Sequence, residues 1–551
     1  MFHFKAAYFY LLGVKILLGR FLKKIYFSTS YYNRSLRTRL PEQLYFYPNP
    51  FLLSSFVNQK IFTFRLSKVN IDTFWREFET SKEEEDLNSF FWLNLINRKN
   101  DGKAIQQIIS IWIKKNNRFK KKNWSNLQIS KRVLAWILNA DIILNNADKF
   151  FKESFFRSII FQVNHLKKNL NDENDPAKKI EIISAIILSG LVFKEYNSNF
   201  EKGIKALKYI VENFFDDSGC PINRNIYDLV QCSKFIILIK ECCKDAQEYI
   251  PDFLDDIVDK HVDCLFSLQT PTNKNPLFNG ASEFKINTYL EYLTGLEYKS
   301  KKTINNICQI YIVRNKKSLL FFDAGSPPSK KNSKNYQSGP LSFEYFIDNH
   351  KIITNCGFGN KISKKVELIS RLTSAQSTLC LNDSSAVKFE RNNLINSAFG
   401  TSITTSFKVS DLNIGDEKNY FILSAKHNAY ENNFNYLHQR VIKIDKKNNN
   451  LLGEDNLFAA SSNKKLLNMY SIRFHLYPGI NAVQTMGKNS ILIQIDKNKS
   501  LIFVSNGENL DLEKSIFLGR NQIINNFCIT ISGTLSNNKN KTITWELKRN
   551  N

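Results

Sequence analysis

Between about residues 70 and 270 the apolar positions recur with a helical period. Ile129, Val133, Leu134, Trp136, Ile137, Ala140, Ile143 and Leu144 fall at near 3.6-residue spacing, which gathers them on one face of an amphipathic helix. Asp175-Pro176 reads as a helix opening, a capping carboxylate followed by proline in the first turn. The helix it starts, residues 180–193, is apolar nearly all round, which predicts burial on several sides. Helices are expected to begin near residues 125, 150, 177, 200, 225 and 250, a spacing that suits antiparallel helices joined by short loops. Such hairpins stack as a solenoid or close into a ring, and the pattern leaves both open.

After about residue 300 the period changes to two. Leu341, Phe343, Tyr345 and Ile347 alternate with Ser342, Glu344, Phe346 and Asp348, a strand with one buried face. Further strands are expected near 378–382, 401–409, 419–427, 436–445, 470–477, 491–496, 500–504, 526–533 and 542–548. Polar clusters such as Lys446-Lys447-Asn448-Asn449-Asn450 separate them. About ten strands without intervening helices predict an antiparallel sandwich. The change of period falls near 285–305, so helices come first and strands second.

Composition narrows the picture little further. A chain of 551 residues exceeds one ordinary hydrophobic core, and 43% apolar residues with 12 prolines and 20 glycines describe a globular protein. Lys and Arg number 77 against 51 Asp and Glu, a formal net charge of +26 that favours polyanionic partners: nucleic acid, acidic lipid or acidic polysaccharide. The Lys-, Asn-, Ile- and Phe-rich bias runs through the whole chain, so charge does not choose among the three. The nine cysteines are odd in number and form no C-x-x-C pair, which reads as buried free thiols.

The N-terminal segment, residues 1–60, holds nine Lys/Arg against one acid, Glu42, interleaved with Phe and Tyr. The apolar run from Ala6 to Val14 is too short to span a bilayer, and no small-x-small cleavage site follows it. Peripheral contact with an anionic membrane through residues 1–40, and a helix covering the body of the protein, both fit this pattern.

Several segments, in fixed order, resemble the heparinase II/III superfamily, especially its proteobacterial branch. They are Trp124 and Arg132-Val133-Leu134-Ala135-Trp136, then Leu277-Phe278-Asn279-Gly280, Phe322-Asp323-Ala324-Gly325 and Gly339-Pro340-Leu341-Ser342-Phe343-Glu344. Thr354-Asn355-Cys356-Gly357, Ser374-Ala375-Gln376-Ser377-Thr378-Leu379, His427-Asn428-Ala429-Tyr430, His438-Gln439-Arg440 and Arg473-Phe474-His475-Leu476-Tyr477-Pro478-Gly479 follow. The resemblance implies an α+β multidomain protein: a helical domain at 61–295 forming an incomplete α/α toroid, then an antiparallel β-sandwich at 296–551, with a substrate cleft where they meet. It also implies β-elimination on uronate-containing polysaccharides.

Such a reaction needs a cationic or amide clamp on the uronate carboxylate, a base for the neighbouring proton, and an acid for the leaving oxygen. Arg473, His475 and Tyr477 alternate with apolar neighbours and share one strand face, offering clamp, base and acid. His427, Tyr430, His438 and Arg440 flank a strand–strand turn and are expected to line the cleft. Asn223, Arg224 and Tyr227 follow a turn in the helical half, and the resemblance makes Tyr227 a candidate catalytic group. Asn164-His165 resembles an Asn–His pair of some lyases in an unmatched context, and reads as a satisfied helix-surface histidine. Where lyase members carry zinc-binding His and Asp, this chain has Gln337, Asn355 and Gln376. Amides are poor zinc ligands, so no metal or other cofactor is expected, and Gln337 and Gln376 become candidate substrate contacts.

The expected function is thus a polysaccharide lyase for an acidic polysaccharide. The alternative is a catalytically degenerate carbohydrate-binding or envelope-polymer handling protein of the same fold. Arg118-Phe119-Lys120-Lys121-Lys122-Asn123-Trp124 mixes basic and aromatic residues, but no nucleic-acid module surrounds it and no nucleic-acid partner is expected. Family habit favours the cell envelope or periplasm; the lack of a cleavage site and the odd thiol count favour the cytoplasm.

Overall fold

The computed structural model describes residues 2–57, 70–71, 73–77, 84–99, 101–460, 468–497, 499–535 and 539–550, with residues 2–7 as backbone only. The expected start of the helical domain, at residue 61, lies outside the described residues. The chain forms two compact units, residues 14–219 with 230–261, and residues 1–13 with 220–229 and 262–551.

The long helices are α1 (Phe2–Phe27), α2 (Gly102–Lys115), α3 (Asn126–Leu138), α4 (Lys149–Asn169), α5 (Pro176–Val192), α6 (Asn197–Phe214), α7 (Ile226–Asp245) and α8 (Asp252–Ser267). From α3 onward they begin within three residues of the expected positions. Asp175 caps α5 as anticipated, its carboxylate accepting from the Ala177 N–H at 3.1 Å. All of residues 182–193 are buried, because α5 packs against α3, α4 and α6. Glycine permits the closest of these approaches: a β-carbon at Gly190 would collide with the backbone of Phe200, and one at Gly203 with Ile187. Arg132, fully buried in α3, donates to Gln162 Oε1 (2.7 Å) and to the carbonyls of Asn88 (2.9 Å) and Asn123 (3.0 Å).

His165 is not on the helix surface as expected. Phe27, Phe119 and Trp124 enclose it, and its Nδ1 meets the Tyr32 hydroxyl at 2.7 Å. Burial pushes its pKa down to about 3. The same packing turns Trp124 of the basic run inward and leaves Lys120, Lys121 and Lys122 exposed.

The strands are β1 (Asn306–Ile307), β2 (Ile310–Asn315), β3 (Ser318–Asp323), β4 (Phe343–Ile347), β5 (His350–Thr354), β6 (Leu379–Leu381), β7 (Val409–Asp416), β8 (Tyr420–His427), β9 (Tyr436–Asp445), β10 (Leu451–Ala459), β11 (Asn468–Leu476), β12 (Asn481–Gln484), β13 (Ser490–Gln494), β14 (Ser500–Ser505), β15 (Asn509–Phe517), β16 (Ile524–Leu535) and β17 (Lys541–Arg549). One antiparallel sheet has the order β1-β2-β3-β4-β5-β11-β16-β15, with β6 also on β11; the other runs β12-β13-β14-β17-β10-β9-β8-β7. Their facing sides share one core that includes Phe343, Phe474, Phe503, Leu451 and Trp545. The Trp545 ring stacks on Phe343 at 5.6 Å and meets Phe474 edge-on at 4.8 Å. The helical region is thus followed by an antiparallel β-sandwich.

Two strand expectations change. Residues 401–408 form an extended loop with a single bridge, Phe389 to Ile403, because Ile403 and Phe407 are buried as isolated core contacts and not along a ladder. In β4 both faces are buried, and on the outer side Leu277, Lys351, Thr354 and Asn355 of the same unit meet Glu344. There Glu344 accepts from the N–H groups of Leu277 (3.1 Å) and Asn355 (3.0 Å), from Thr354 Oγ1 (2.8 Å) and from Lys351 Nζ (2.7 Å).

Candidate active site

The expected site residues fall into separate groups within the β-sandwich unit. Arg473 and His475 do share the outward side of β11, since Ile472, Phe474 and Leu476 enter the core, but the strand ends at Leu476 and Tyr477 joins the core cluster. Their surroundings differ, however. Arg473 bonds Ser471 Oγ at 2.6 Å and the exposed Asp383 at 3.0 Å. His475 is buried, with Nε2 at 3.0 Å from the Ser374 carbonyl and Nδ1 at 3.0 Å from Ser515 Oγ. A carbonyl only accepts, so Nε2 carries the proton and Nδ1 accepts from the serine. Burial lowers its pKa to about 4, leaving a neutral ring with both nitrogens engaged.

Tyr477 lies just beyond the strand in a charged cluster. Its hydroxyl donates to Glu283 Oε2 at 2.5 Å and accepts from Arg520 Nη2 at 2.6 Å, while Arg520 Nε contacts Glu283 Oε1 at 3.0 Å. Lys274 Nζ stands 4.2 Å from the centre of the tyrosine ring, and Lys351 Nζ 5.7 Å. Burial first, then the Glu283 carboxylate, raises the Tyr477 pKa, so the phenol holds its proton. Burial, with Arg520 and Lys351 nearby, lowers that of Lys274. The next residue after Glu283, Phe284, meets the half-buried Tyr227 ring edge-on at 6.0 Å. Tyr227 and Tyr477 thus flank one dipeptide. Glu283, Arg520 and Lys274 carried no local sequence signal, because the loop that holds Lys274 and Glu283 meets Tyr477 and Arg520 only through folding.

His427, Tyr430, His438 and Arg440 lie inside the sandwich and do not line a cleft. His427 and His438 face each other across β8 and β9, with His427 Nε2 at 3.0 Å from His438 Nδ1. The Ala429 N–H donates to His427 Nδ1 (3.2 Å), so His427 Nε2 donates onward, and His438 Nε2 donates to Asp455 Oδ1 at 2.7 Å. Arg440 reaches both Asp455 oxygens (2.8 and 3.1 Å), and the Trp545 indole donates to Oδ2 at 2.9 Å. Burial lowers the pKa of both histidines, which are neutral links to a buried ion pair. Tyr430 is buried too, donating to the Leu379 carbonyl at 2.8 Å. The expected strand–strand turn does lie between His427 and His438, but the side chains of His427, His438 and Arg440 point into the sandwich and not into a cleft.

Arg224 adopts φ 61° and buries its guanidinium against Asp323, donating also to the carbonyls of Cys308 (3.1 Å) and Ser326 (3.2 Å). Its space exists because residue 325 is glycine, where any β-carbon would overlap the guanidinium. Asn223 is committed locally, its amide donating to Asp228 at 2.7 Å.

The buried amides Gln337, Asn355 and Gln376 are tied to the backbone. Gln337 accepts from the Gly280 N–H (2.9 Å) and donates to the carbonyls of Gly357 (3.1 Å) and Ser370 (2.7 Å). Gln376 donates to the same Ser370 carbonyl at 2.8 Å; Asn355 donates to Leu277 O (3.2 Å) and accepts from the Ser377 N–H (2.9 Å). Their polar atoms are used in stitching loops together, and this arrangement does not fit a zinc ion. Among the described residues no group of three or more His, Cys, Asp and Glu is arranged to hold a metal. All nine cysteines are buried.

Residues 308–546 match the family described as heparinase II/III-like, C-terminal. No curated protein sequence matches the chain. Among solved structures, the chain is similar to the heparan sulfate lyase HepC from Pedobacter heparinus, at 15% identity and TM-score 0.60, over 87% of this chain and 77% of that one. It is similar also to a heparinase III, at 14% identity and TM-score 0.66, over 85% of this chain and 76% of that one. Identities this low speak for the fold alone. Residues 308–546 of this chain thus form a heparinase II/III-like C-terminal domain.

Proposed function

We propose that the protein is a polysaccharide lyase that cleaves an acidic, uronate-containing polysaccharide by β-elimination. The observation that supports this reading best is the Tyr477 cluster. A phenol kept protonated by burial and by Glu283 is suited to give its proton to the leaving glycosidic oxygen. Arg520, in contact with that hydroxyl, favours the phenolate left behind. Lys274 and Arg520 supply positive charge for the uronate carboxylate, which makes the neighbouring carbon acid easier to deprotonate. Tyr227, whose ring meets Phe284 next to Glu283, is the residue we assign to accept that proton, acting as its phenolate and becoming the neutral phenol. The heparinase II/III-like match of the C-terminal domain and the fold shared with heparinases agree with this chemistry.

The test is incubation with heparan sulfate, hyaluronan, alginate and bacterial exopolysaccharide, following the ultraviolet absorbance of the unsaturated product. Tyr477→Phe is expected to lower kcat roughly 100-fold or more with a smaller change in KM. Absence of product from every polymer removes the proposal.

A second reading, a carbohydrate-binding or envelope-polymer handling protein that lost catalysis, is favoured by the engaged nitrogens of His475 and by the three amides at the family's metal positions. Binding without turnover, unchanged by Tyr477→Phe or His475→Ala, would establish it.

A further inference from the structure

Helix α1 is seated at its C-terminal end by the pair Lys23–Asp172 and by Phe27, whose ring packs on Tyr32 at 4.7 Å. Its other side is bare. Leu11, Val14, Leu18, Leu22 and Ile25 follow one another at intervals of three and four residues, which aligns them in one stripe along the helix. They are 67%, 40%, 55%, 55% and 53% exposed, so about half of each side chain or more faces water. Single exposed apolar residues are ordinary, but a continuous row of them on one helix marks an interaction surface.

Charge identifies the occupant. The 26-residue helix carries five basic residues and no acidic one, and residues 1–40 carry eight Lys/Arg with no Asp or Glu. Two copies of α1 laid together would bring ten cations into one contact with no acid between them, which opposes self-pairing. A surface that is apolar in depth and anionic at its edge complements both features. Lys15 interrupts the apolar run, and among the described residues no helix is long and apolar enough to cross a membrane. Lying in the interface is the geometry that remains for this helix.

We propose that α1 docks this protein on the surface of an anionic lipid bilayer, with the Leu11–Ile25 stripe in the acyl boundary and Lys15 and Lys24 at the headgroups. Such docking holds the enzyme against a membrane-associated or envelope polymer, independently of what the catalytic cluster does.

The experiment is co-sedimentation of the full chain with vesicles of phosphatidylcholine alone and of equal parts phosphatidylcholine and phosphatidylglycerol. The expected result is partition onto the anionic vesicles, at least tenfold weaker on the neutral ones and weakened by salt. Leu18→Glu with Leu22→Glu is expected to reduce partition roughly tenfold or more, as is Lys15→Glu with Lys24→Glu, with an unchanged thermal midpoint. Should the leucine variant fail to fold, the lysine variant decides. Equal partition onto both vesicles, no partition, or variants that bind like the parent would overturn the proposal. So would self-association of the parent, seen by analytical ultracentrifugation and abolished by the leucine variant, without vesicle binding.

Discussion

His475 stands two residues before the proposed acid, yet its ring is closed off by Ser374 and Ser515. This has a consequence for stability. The folded protein keeps His475 neutral down to about pH 4, whereas an unfolded histidine takes its proton near pH 6.5. The unfolded state binds more protons in between, so stability is complete above about pH 6.5 and falls as pH drops toward 4. That loss is about 3 kcal/mol for this residue, and the lowered pKa values of His165, His427 and His438 add in the same direction. Urea midpoints measured at pH 7 and pH 4.5 should fall accordingly, and His475→Gln should recover part of the difference. Asp455 carries a different burden, since Arg440, His438 and Trp545 all donate to it in the interior. Asp455→Ala strands a buried guanidinium and should cost roughly 3–5 kcal/mol, read as a drop in the unfolding midpoint.

At the scale of elements, close packing is set by a few glycines. Gly190→Ala should push α5 away from the backbone of Phe200 and cost about 1–3 kcal/mol, seen in denaturant unfolding of the whole chain. Legibility also varied element by element. The starts of α3 to α8 were readable because capping residues and a helical apolar period agree there. Strands β8, β9, β11, β16 and β17 were readable because one apolar face alternates. Strand β10 was not, since its inner positions include Gly453 and Asp455: the first makes room for the Trp545 ring, and the second is neutralised by partners on β9 and β17. Strand β7 is largely exposed and carries no apolar alternation at all. Its pairing with β8 depends on backbone hydrogen bonds, which leave no mark on the sequence.

For the molecule as a whole, the net charge of +26 sets the conditions under which any acidic polymer binds. Affinity for a uronate polymer should fall steeply between low and physiological salt, because screening shortens the reach of exposed charges. An uncharged polysaccharide should show no such dependence. A chelator should leave the thermal midpoint unmoved, since Gln337, Asn355 and Gln376 hold their loops through backbone hydrogen bonds. Elemental analysis of the purified protein, expected to give no stoichiometric zinc, checks the same point independently.

Periodicity and capping alone determined that helices precede strands, roughly where most of them begin, and which side of β11 carries Arg473 and His475. These features follow from short-range geometry, in which side chains three, four or two residues apart share a face. Which histidines are buried, and which distant groups surround Tyr477, was decided only by tertiary structure. Lys274 and Glu283 share a loop far in sequence from Tyr477 and Arg520, and the inner and outer faces of a strand become distinguishable only when a second sheet covers one of them. Polar residues at inward positions, such as His438, Arg440 and Asp455, look like surface chemistry until their partners are known. Their cost of burial is offset by contacts that no local pattern records.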